Sequence, residues 1–193
     1  MDYDQTDFSG TVALSIQCTE LVGHKFLLAE RSLQHLAGLR YLRISHCKLT
    51  ALPRDSLAGL QLLAKLSVHT LHTHPEAKAL AGLRRLSRLD LSYGLWRLPD
   101  QELCGLQSLI HLNLSHNSFK DVKDAGLGGE QSALSSLASL DLSHNQLQQV
   151  PGAGLQSAPG LGVLILSNNQ ISQVHDSALD GLPDLKTLDL SGN

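Results

Sequence analysis

The sequence predicts an α/β solenoid, in which short repeats stack along one axis and share a continuous core. A leucine frame returns about every 24 residues, a period in the range of repeat architectures. Apolar and polar residues alternate inside each frame, as they do in a strand with one buried face. A second leucine series at spacing three precedes each strand, and the chain between frames is too short for a long helix.

The frame reads L-x-x-L-x-L-x-x-N-x-L, and residues 137–147 give its cleanest copy. Copies begin at Leu39, Leu63, Leu86, Leu109, Leu137, Leu161 and Leu185. This frame is typical of a leucine-rich-repeat solenoid. We therefore expect a horseshoe arc with a concave parallel β-sheet and short helical turns or irregular segments on the convex side. We expect one domain over residues 1–193, with a capping strand and lead-in at 1–38 and about seven repeats at 39–193, the last truncated.

Two segments depart from the regular frame. Val12, Leu14, Ile16 and Cys18 alternate with small or polar residues, which predicts a strand that seals the N-terminal end of the sheet. Between the fourth and fifth repeats, the spacing of equivalent leucines lengthens to 28 residues. The extra residues lie in 120–132, which is charged and rich in glycine. We expect a loop extruded from the return side there.

The ninth frame position is expected to hold a ladder of buried side chains. An asparagine there can bond backbone groups of the neighbouring repeat that otherwise lack partners. The predicted ladder residues are Cys47, Asn117, Asn145, Asn169 and Asn193. Leu71 and Gly94 stand at this position in the two remaining repeats, where we expect irregular turns. Cys47 and Cys104 are also interpreted as small buried apolar residues, and Cys18 is expected to pair with a cysteine outside this chain.

Charge is distributed unevenly along the chain. Residues 1–97 carry 12 Lys and Arg against 8 Asp and Glu, whereas residues 98–193 carry 3 against 10. The two halves therefore have net charges of +4 and −7, which give the overall −3. Because a solenoid lays its sequence out along one axis, we expect a dipolar rod. The small total does not suggest nucleic acid or a membrane surface as the main partner.

The residues that flank the inward leucines must point out of the concave sheet. Cations and a tyrosine gather there near the N-terminal end, and Tyr and Arg are favoured at the centres of protein interfaces. The predicted protein-binding residues are Tyr41, Arg43, Lys65, Arg88, Asp90 and His111. The alternative is a solvated sheet face with no partner.

The chain carries no sequence motif of a nucleophile, a zinc protease or a phosphate loop, so we expect no catalytic residues and no cofactor. The cluster His69-x-x-His72-x-His74 lacks the further ligands of a zinc site, and no metal is expected. His46, His116 and His144 share one frame position, which indicates exposed turn residues or, alternatively, stacked imidazoles that titrate together. Asn113-Leu114-Ser115 is a sequon, which makes Asn113 a glycosylation candidate.

Some features resemble one family of repeat proteins. The 24-residue frame with Leu52-Pro53 and Leu98-Pro99 is similar to the extracellular typical class of leucine-rich repeats. The stretches 42–49, 66–70 and 103–109, the last ahead of 112–115, stand in an order that resembles arthropod Toll-family receptors with long ectodomains. No family binding residue maps onto a motif of this chain, so none is carried over.

The resemblance implies a receptor ectodomain on the extracellular side of the plasma membrane. Such a module binds cystine-knot protein ligands or other cell-surface receptors and dimerises to signal, so a homodimer is possible in principle. Neither nucleic acid nor direct membrane insertion by this segment is expected. Two alternatives stay open. One is a secreted matrix protein. The other is a cytoplasmic scaffold or adaptor, which agrees with the acidic N-terminus, unlike a signal peptide. Both ends are interpreted as cut, which predicts a piece of a longer protein.

Overall fold

A computed structural model describes residues 12–18, 26–49, 51–69, 74–127 and 134–193. In these parts, eight strands form one parallel sheet in the order β1-β2-β4-β6-β7-β8-β9-β10. The strands are β1 (Ala13–Gln17), β2 (Tyr41–Ser45), β3 (Ala51–Leu52), β4 (Lys65–His69), β5 (His74–Pro75), β6 (Arg88–Asp90), β7 (His111–Asn113), β8 (Ser139–Asp141), β9 (Val163–Ile165) and β10 (Thr187–Asp189). The short strands β3 and β5 pair separately within the return segments.

The leucine frame determines which residues form the strands and how they align. In β2, Leu42 and Ile44 are fully buried, whereas Arg43 between them is exposed. Leu42 is paired in register with Leu66 of β4, and the same step repeats along the sheet to β10. Equivalent leucines therefore stack in layers, and the predicted leucine-rich-repeat solenoid is confirmed.

The return segments contain turns rather than long helices. The second leucine series packs behind the sheet, and Leu57, Leu60 and Leu63 are at most 1% exposed. One short 3₁₀ helix (Gly152–Leu155) is assigned in the described residues. No helix among them is long and apolar enough to cross a membrane. The expectation of short turns on the convex side is confirmed.

Buried asparagines join the repeats of the second half. The side chain of Asn145 accepts a hydrogen bond from the Phe119 N–H at 3.1 Å, and its Nδ2 donates to the Leu114 and Leu142 carbonyls at 3.0 Å each. Asn117, Asn169 and Asn193 repeat this arrangement in their own layers. Each carboxamide thus ties one repeat to the one before it.

Cys47 stands at the ladder position but makes a different connection. Its sulfur is bonded to that of Cys18, which directly follows β1. The expectation that Cys18 pairs with a cysteine outside this chain is therefore wrong. Because β1 lies beside β2 in parallel register, it brings Cys18 to the turn where Cys47 lies. Cys104, interpreted as buried, is half-buried and free.

The turn after β6 is one residue shorter than the turns in the second half. The Leu95 N–H donates to the Asn117 side chain, as the Phe119 N–H donates to Asn145. Leu95 therefore occupies the place of Phe119, although it lies one residue nearer its strand. Gly94 takes a positive φ of 89° inside this tight turn. The irregularity expected at Gly94 is thus a deletion of the ladder residue; Leu71 lies outside the described residues.

Glutamates join the repeats on the return side of the first half. Glu102 is 3% exposed, and its carboxylate accepts hydrogen bonds from the backbone N–H groups of Lys78 at 2.6 Å and Leu80 at 2.5 Å. Glu76 accepts a hydrogen bond from the Arg54 N–H at 3.0 Å. Both contacts reach back by one repeat. The Glu102 carboxylate thereby satisfies turn donors that burial would otherwise leave without partners.

The segment expected to be an extruded loop contributes to the core at its start. Val122, Ala125 and Leu127 are buried, and the Asp124 carboxylate accepts hydrogen bonds from the backbone N–H groups of Lys120 and Asp121. Residues 120–127 therefore form a packed turn. The remainder of the predicted loop lies outside the described residues.

Candidate partner-binding surface

The parallel register places the predicted binding residues in two rows on the concave sheet. Tyr41, Lys65, Arg88 and His111 are aligned across β2, β4, β6 and β7. Arg43 and Asp90 belong to the second row, two positions further along their strands, and Ser67 lies between them. Neighbouring strands are about 4.8 Å apart, so the side chains of one row present a continuous surface.

A groove of about 640 Å³ lies over the N-terminal part of these rows. Its lining includes Arg40, Tyr41, Arg43, Lys65, Ser67, His69, Arg88 and Asp90. Five of the six predicted binding residues line this concave groove, whereas His111 belongs to the next strand and does not. Arg40 and His69 were not included in the prediction.

The groove carries positive charge that is largely unneutralised. Arg40, Arg43, Lys65 and Arg88 are exposed, and none forms an ion pair within the part of the chain that the structure describes. Asp90 supplies a carboxylate to the groove, but that carboxylate is 2.8 Å from the His69 ring and also accepts the Ser92 N–H at 3.1 Å. The arrangement is therefore suited to binding a group that brings its own negative charge.

His69 has partners that the sequence alone does not reveal. Its Nε2 lies 2.8 Å from the Asp90 carboxylate on the neighbouring strand and 3.1 Å from the Ser67 hydroxyl. His72 and the side chain of His74, which belong to the cluster weighed as a metal site, lie outside the described residues. Within the described residues, no group of three metal-binding side chains comes together.

Ring side chains stack along the turns that follow the strands. The Tyr93 and His116 rings are 4.7 Å apart at 9°, and the His116 and His144 rings are 4.1 Å apart at 8°. His69 meets Tyr93 edge-on at 6.3 Å, and the Asn168 amide lies 3.3 Å from the His144 ring. Of the three histidines that share this frame position, His116 and His144 thus form the stacked pair that the sequence offered as an alternative. Sequence reasoning missed Tyr93 and Asn168, although both share the frame position of these histidines.

Asn113, the glycosylation candidate, lies on β7 near the middle of the concave sheet. Its side chain is half-buried, and its Oδ1 accepts the Ser115 N–H at 3.0 Å. A glycan at this position would project from the concave face, two strands from Lys65. Glycosylation of Asn113 stays a prediction. A glycan there would cover part of the concave sheet and hinder a partner from reaching it.

Comparisons with known proteins place these repeats in a family. Two family models of the leucine-rich repeat match this chain. One matches residues 135–193, and the other matches residues 38–60 and 108–129. Toll-like receptor 7 of Drosophila melanogaster is 34% identical over 61% of this chain. The match covers 9% of that receptor's length.

Solved structures share the same arc. A structure of TLR13 in complex with single-stranded RNA is 26% identical, with a TM-score of 0.74 over 86% of this chain and 23% of that chain. A Leptospira interrogans leucine-rich-repeat protein is 27% identical, with a TM-score of 0.68 over 86% of this chain and 40% of that chain. The Drosophila Toll–Spätzle complex agrees in fold, with a TM-score of 0.68, 19% identity and coverage of 85% of this chain and 22% of that chain.

The expectation that no nucleic acid binds gains no support from these neighbours. The chain is built of leucine-rich repeats, and these repeats are similar to those of Toll-family receptor ectodomains.

Proposed function

We propose that this chain is a protein-binding module of a Toll-like receptor ectodomain, and that it holds an acidic surface of its partner in the concave groove. The observation that carries the proposal is the set of exposed cations Arg43, Lys65 and Arg88 on adjacent strands, which form no ion pair among the described residues. Tyr41 lies beside them and offers an aromatic contact of the kind that anchors protein interfaces. The partner is a protein ligand or another cell-surface receptor, and homodimerisation through the same ectodomain is included in the proposal.

The disulfide between Cys18 and Cys47 supports an extracellular location. Disulfides persist in oxidising compartments and are rare in the cytosol, where thiols are kept reduced. This favours the receptor or a secreted matrix protein over the cytoplasmic scaffold. Similarity to Toll-like receptor 7 favours the receptor over the matrix protein.

Charge reversal in the groove tests the proposal. We expect Arg43→Glu with Arg88→Glu to slow association with a Spätzle-type cystine-knot protein by about tenfold at low salt, because steering by complementary charge acts on the association rate. The matched control is Lys120→Glu with Lys123→Glu, the same charge change at exposed residues of the return side. Surface plasmon resonance at several salt concentrations measures both rates.

The outcomes separate the groove from general charge effects. A slower association in the groove variant alone, with a weaker salt dependence, supports the proposal. Equal kinetics for the wild type and the groove variant would exclude the concave N-terminal face as the interface. Sedimentation of the free protein across a concentration series tests homodimerisation separately.

A further inference from the structure

A row of side chains runs along the turns at the carboxyl ends of the concave strands. Tyr93, His116 and His144 occupy one frame position in three successive repeats, and their rings lie in stacked contact at 4.7 and 4.1 Å. His69 closes the row at one end, and Asn168 closes it at the other. The row therefore crosses five consecutive repeats. We call these five residues the ring row.

The backbone holds the ring row in place. Tyr93, His116, His144 and Asn168 all have positive φ values, between 54° and 76°. This conformation is uncommon for residues other than glycine, although asparagine and histidine adopt it more readily than most. Here the N–H of His116 bonds the Ser143 carbonyl at 3.0 Å, and the N–H of His144 bonds the Ser167 carbonyl at 2.9 Å. The same local geometry recurs in each layer, so the rings are aligned before any partner arrives.

The stacking determines which groups of the ring row remain accessible to a partner. The rings cover one another's faces, so a nucleobase has no free face to stack on between Tyr93 and His144. The ring edges are left, and they carry a phenol O–H and imidazole N–H groups. Tyr93 is 46% exposed, and both histidines are exposed. Donors of this kind suit carboxylate and carbonyl oxygens.

The ring row begins inside the groove. His69 lines the groove with Lys65 and Arg88, and its ring meets Tyr93 of the next repeat. On the basis of the proposed function, we propose that the ring row is a second contact surface for the same protein partner. An acidic segment of that partner crosses the cationic groove and continues along the ring edges of Tyr93, His116 and His144.

The two stacked histidines make this contact sensitive to pH. Histidine changes charge between about pH 5 and pH 8. Two positive rings in contact repel each other, and the carboxylates of a bound acidic segment relieve that repulsion. Protonation and binding therefore strengthen each other, as linked equilibria require. The charged and titratable groups on the strands that carry the row are Lys65, His69, Arg88, Asp90, His111 and Asp141, and Asp189 lies on the next strand, β10.

These neighbours do not already neutralise the stacked rings. Asp90 is paired with His69, and the Asp141 carboxylate accepts hydrogen bonds from the N–H and the hydroxyl of Ser143. The Asn168 amide nitrogen lies 3.3 Å from His144 Nε2 and carries no charge that could offset a positive ring. An acidic partner is thus the missing counter-charge for His116 and His144.

An oligo-aspartate peptide of about ten residues serves as the probe, because its carboxyl groups stay ionised at pH 5.5 and at pH 7.5. Fluorescence polarisation measures its Kd at both pH values. We expect the wild-type protein to bind about tenfold more tightly at pH 5.5, an ordinary size for a coupling between two sites. We expect His116→Asn with His144→Asn to lose this gain while keeping the wild-type Kd at pH 7.5.

Asparagine is chosen because Asn168 already occupies the same frame position at positive φ. The matched control is His35→Asn with His175→Asn, two exposed histidines outside the ring row, which should keep the full gain. Circular dichroism at both pH values verifies that each variant is folded. A wild-type Kd that does not change with pH, or a gain that survives in the ring-row variant, would overturn the proposal.

Failure of the groove gives a different result. Arg43→Glu with Arg88→Glu should weaken peptide binding at both pH values and keep the pH gain. If that variant binds normally at pH 7.5 while the ring-row variant loses its gain, the groove proposal fails and the ring row stands. An oligouridylate of equal charge that binds more tightly than the peptide, and loses affinity in the ring-row variant, would overturn the assignment of the occupant as a protein segment.

Discussion

Replacement of Asn145 by alanine tests how the repeats are held together. The lost carboxamide serves four backbone groups, namely the Phe119 N–H and the carbonyls of Leu114, Leu142 and Ser143. The side chain is 7% exposed, so water has little access to these groups. The cost of the substitution depends on which of them find another partner.

Each of the three carbonyls keeps another donor, and the Ser143 carbonyl keeps the His116 N–H at 3.0 Å. The Leu114 carbonyl also accepts from Asn117 at 2.9 Å, and the Leu142 carbonyl also accepts from Asn169 at 3.0 Å. Only the Phe119 N–H is left without a partner in the alanine variant. A buried unsatisfied group costs about 1–3 kcal/mol and each of the bonds lost from the Leu114 and Leu142 carbonyls about 1 kcal/mol, so we expect a loss of about 3–5 kcal/mol.

The shared carbonyl makes the ladder cooperative in a measurable way. Asn145→Ala together with Asn169→Ala removes both side-chain donors from the Leu142 carbonyl. We expect this double variant to lose about 1–2 kcal/mol more than the sum of the single losses. Asn117→Ala with Asn169→Ala is the matched pair, because these two asparagines share no carbonyl, and its effects should add.

Urea unfolding followed by circular dichroism supplies the free energies. Gln148→Ala, which removes an exposed carboxamide from the same repeat, should change stability by less than about 0.5 kcal/mol. The reasoning is refuted if Asn145→Ala is as mild as this control. It is also refuted if the Asn145 and Asn169 substitutions prove additive.

Three further predictions concern other connections between repeats. Reduction of the disulfide of Cys47, which spans 29 residues, should cost about 3–4 kcal/mol by the chain-entropy estimate, read from the melting temperature with and without reductant. Burial raises the pKa of Glu102. The folded state therefore favours the protonated carboxyl, and this part of the free energy of unfolding is fully present below the ordinary pKa of 4.5 and is lost as the pH rises through the raised pKa. Glu102→Gln should abolish this part of the pH dependence of urea unfolding. Gly152→Ala should unfold or rearrange its repeat, because the new Cβ would overlap the Ala178 carbonyl oxygen, whereas Gly162→Ala meets only contacts of 3.7 Å or more and should melt near the wild type.

The regular part of the fold could be predicted because one frame encodes it seven times. Each L-x-L step places two inward leucines and one outward residue, and parallel stacking then fixes the rows on the concave face. That is why the prediction placed Tyr41, Arg43, Lys65 and Arg88 together before their strands were seen. The groove itself needed Arg40, which lies just before its strand and outside the alternating pattern.

The irregular connections depend on distances between repeats, which the frame does not carry. The partner of Cys18 follows from the register of β1 on β2. The residues that connect these two strands do not follow the 24-residue frame, so the sequence alone does not fix that register. The one-residue deletion at Gly94 is invisible when positions are counted from the strand, because Leu95 then seems to follow the ladder residue. The ring row left a signal in the sequence: Tyr93 and two histidines at one frame position in successive repeats.

The two halves of the solenoid connect neighbouring repeats with different side chains. The second half joins its repeats through asparagines, whereas the described first half uses a disulfide at Cys47 and the carboxylates of Glu76 and Glu102. These connections join the repeats whose strands carry the cationic groove. They hold like charges on Lys65 and Arg88 at a fixed strand spacing, against their mutual repulsion. An acidic partner then meets charges that are already in position, which lowers the ordering cost of binding.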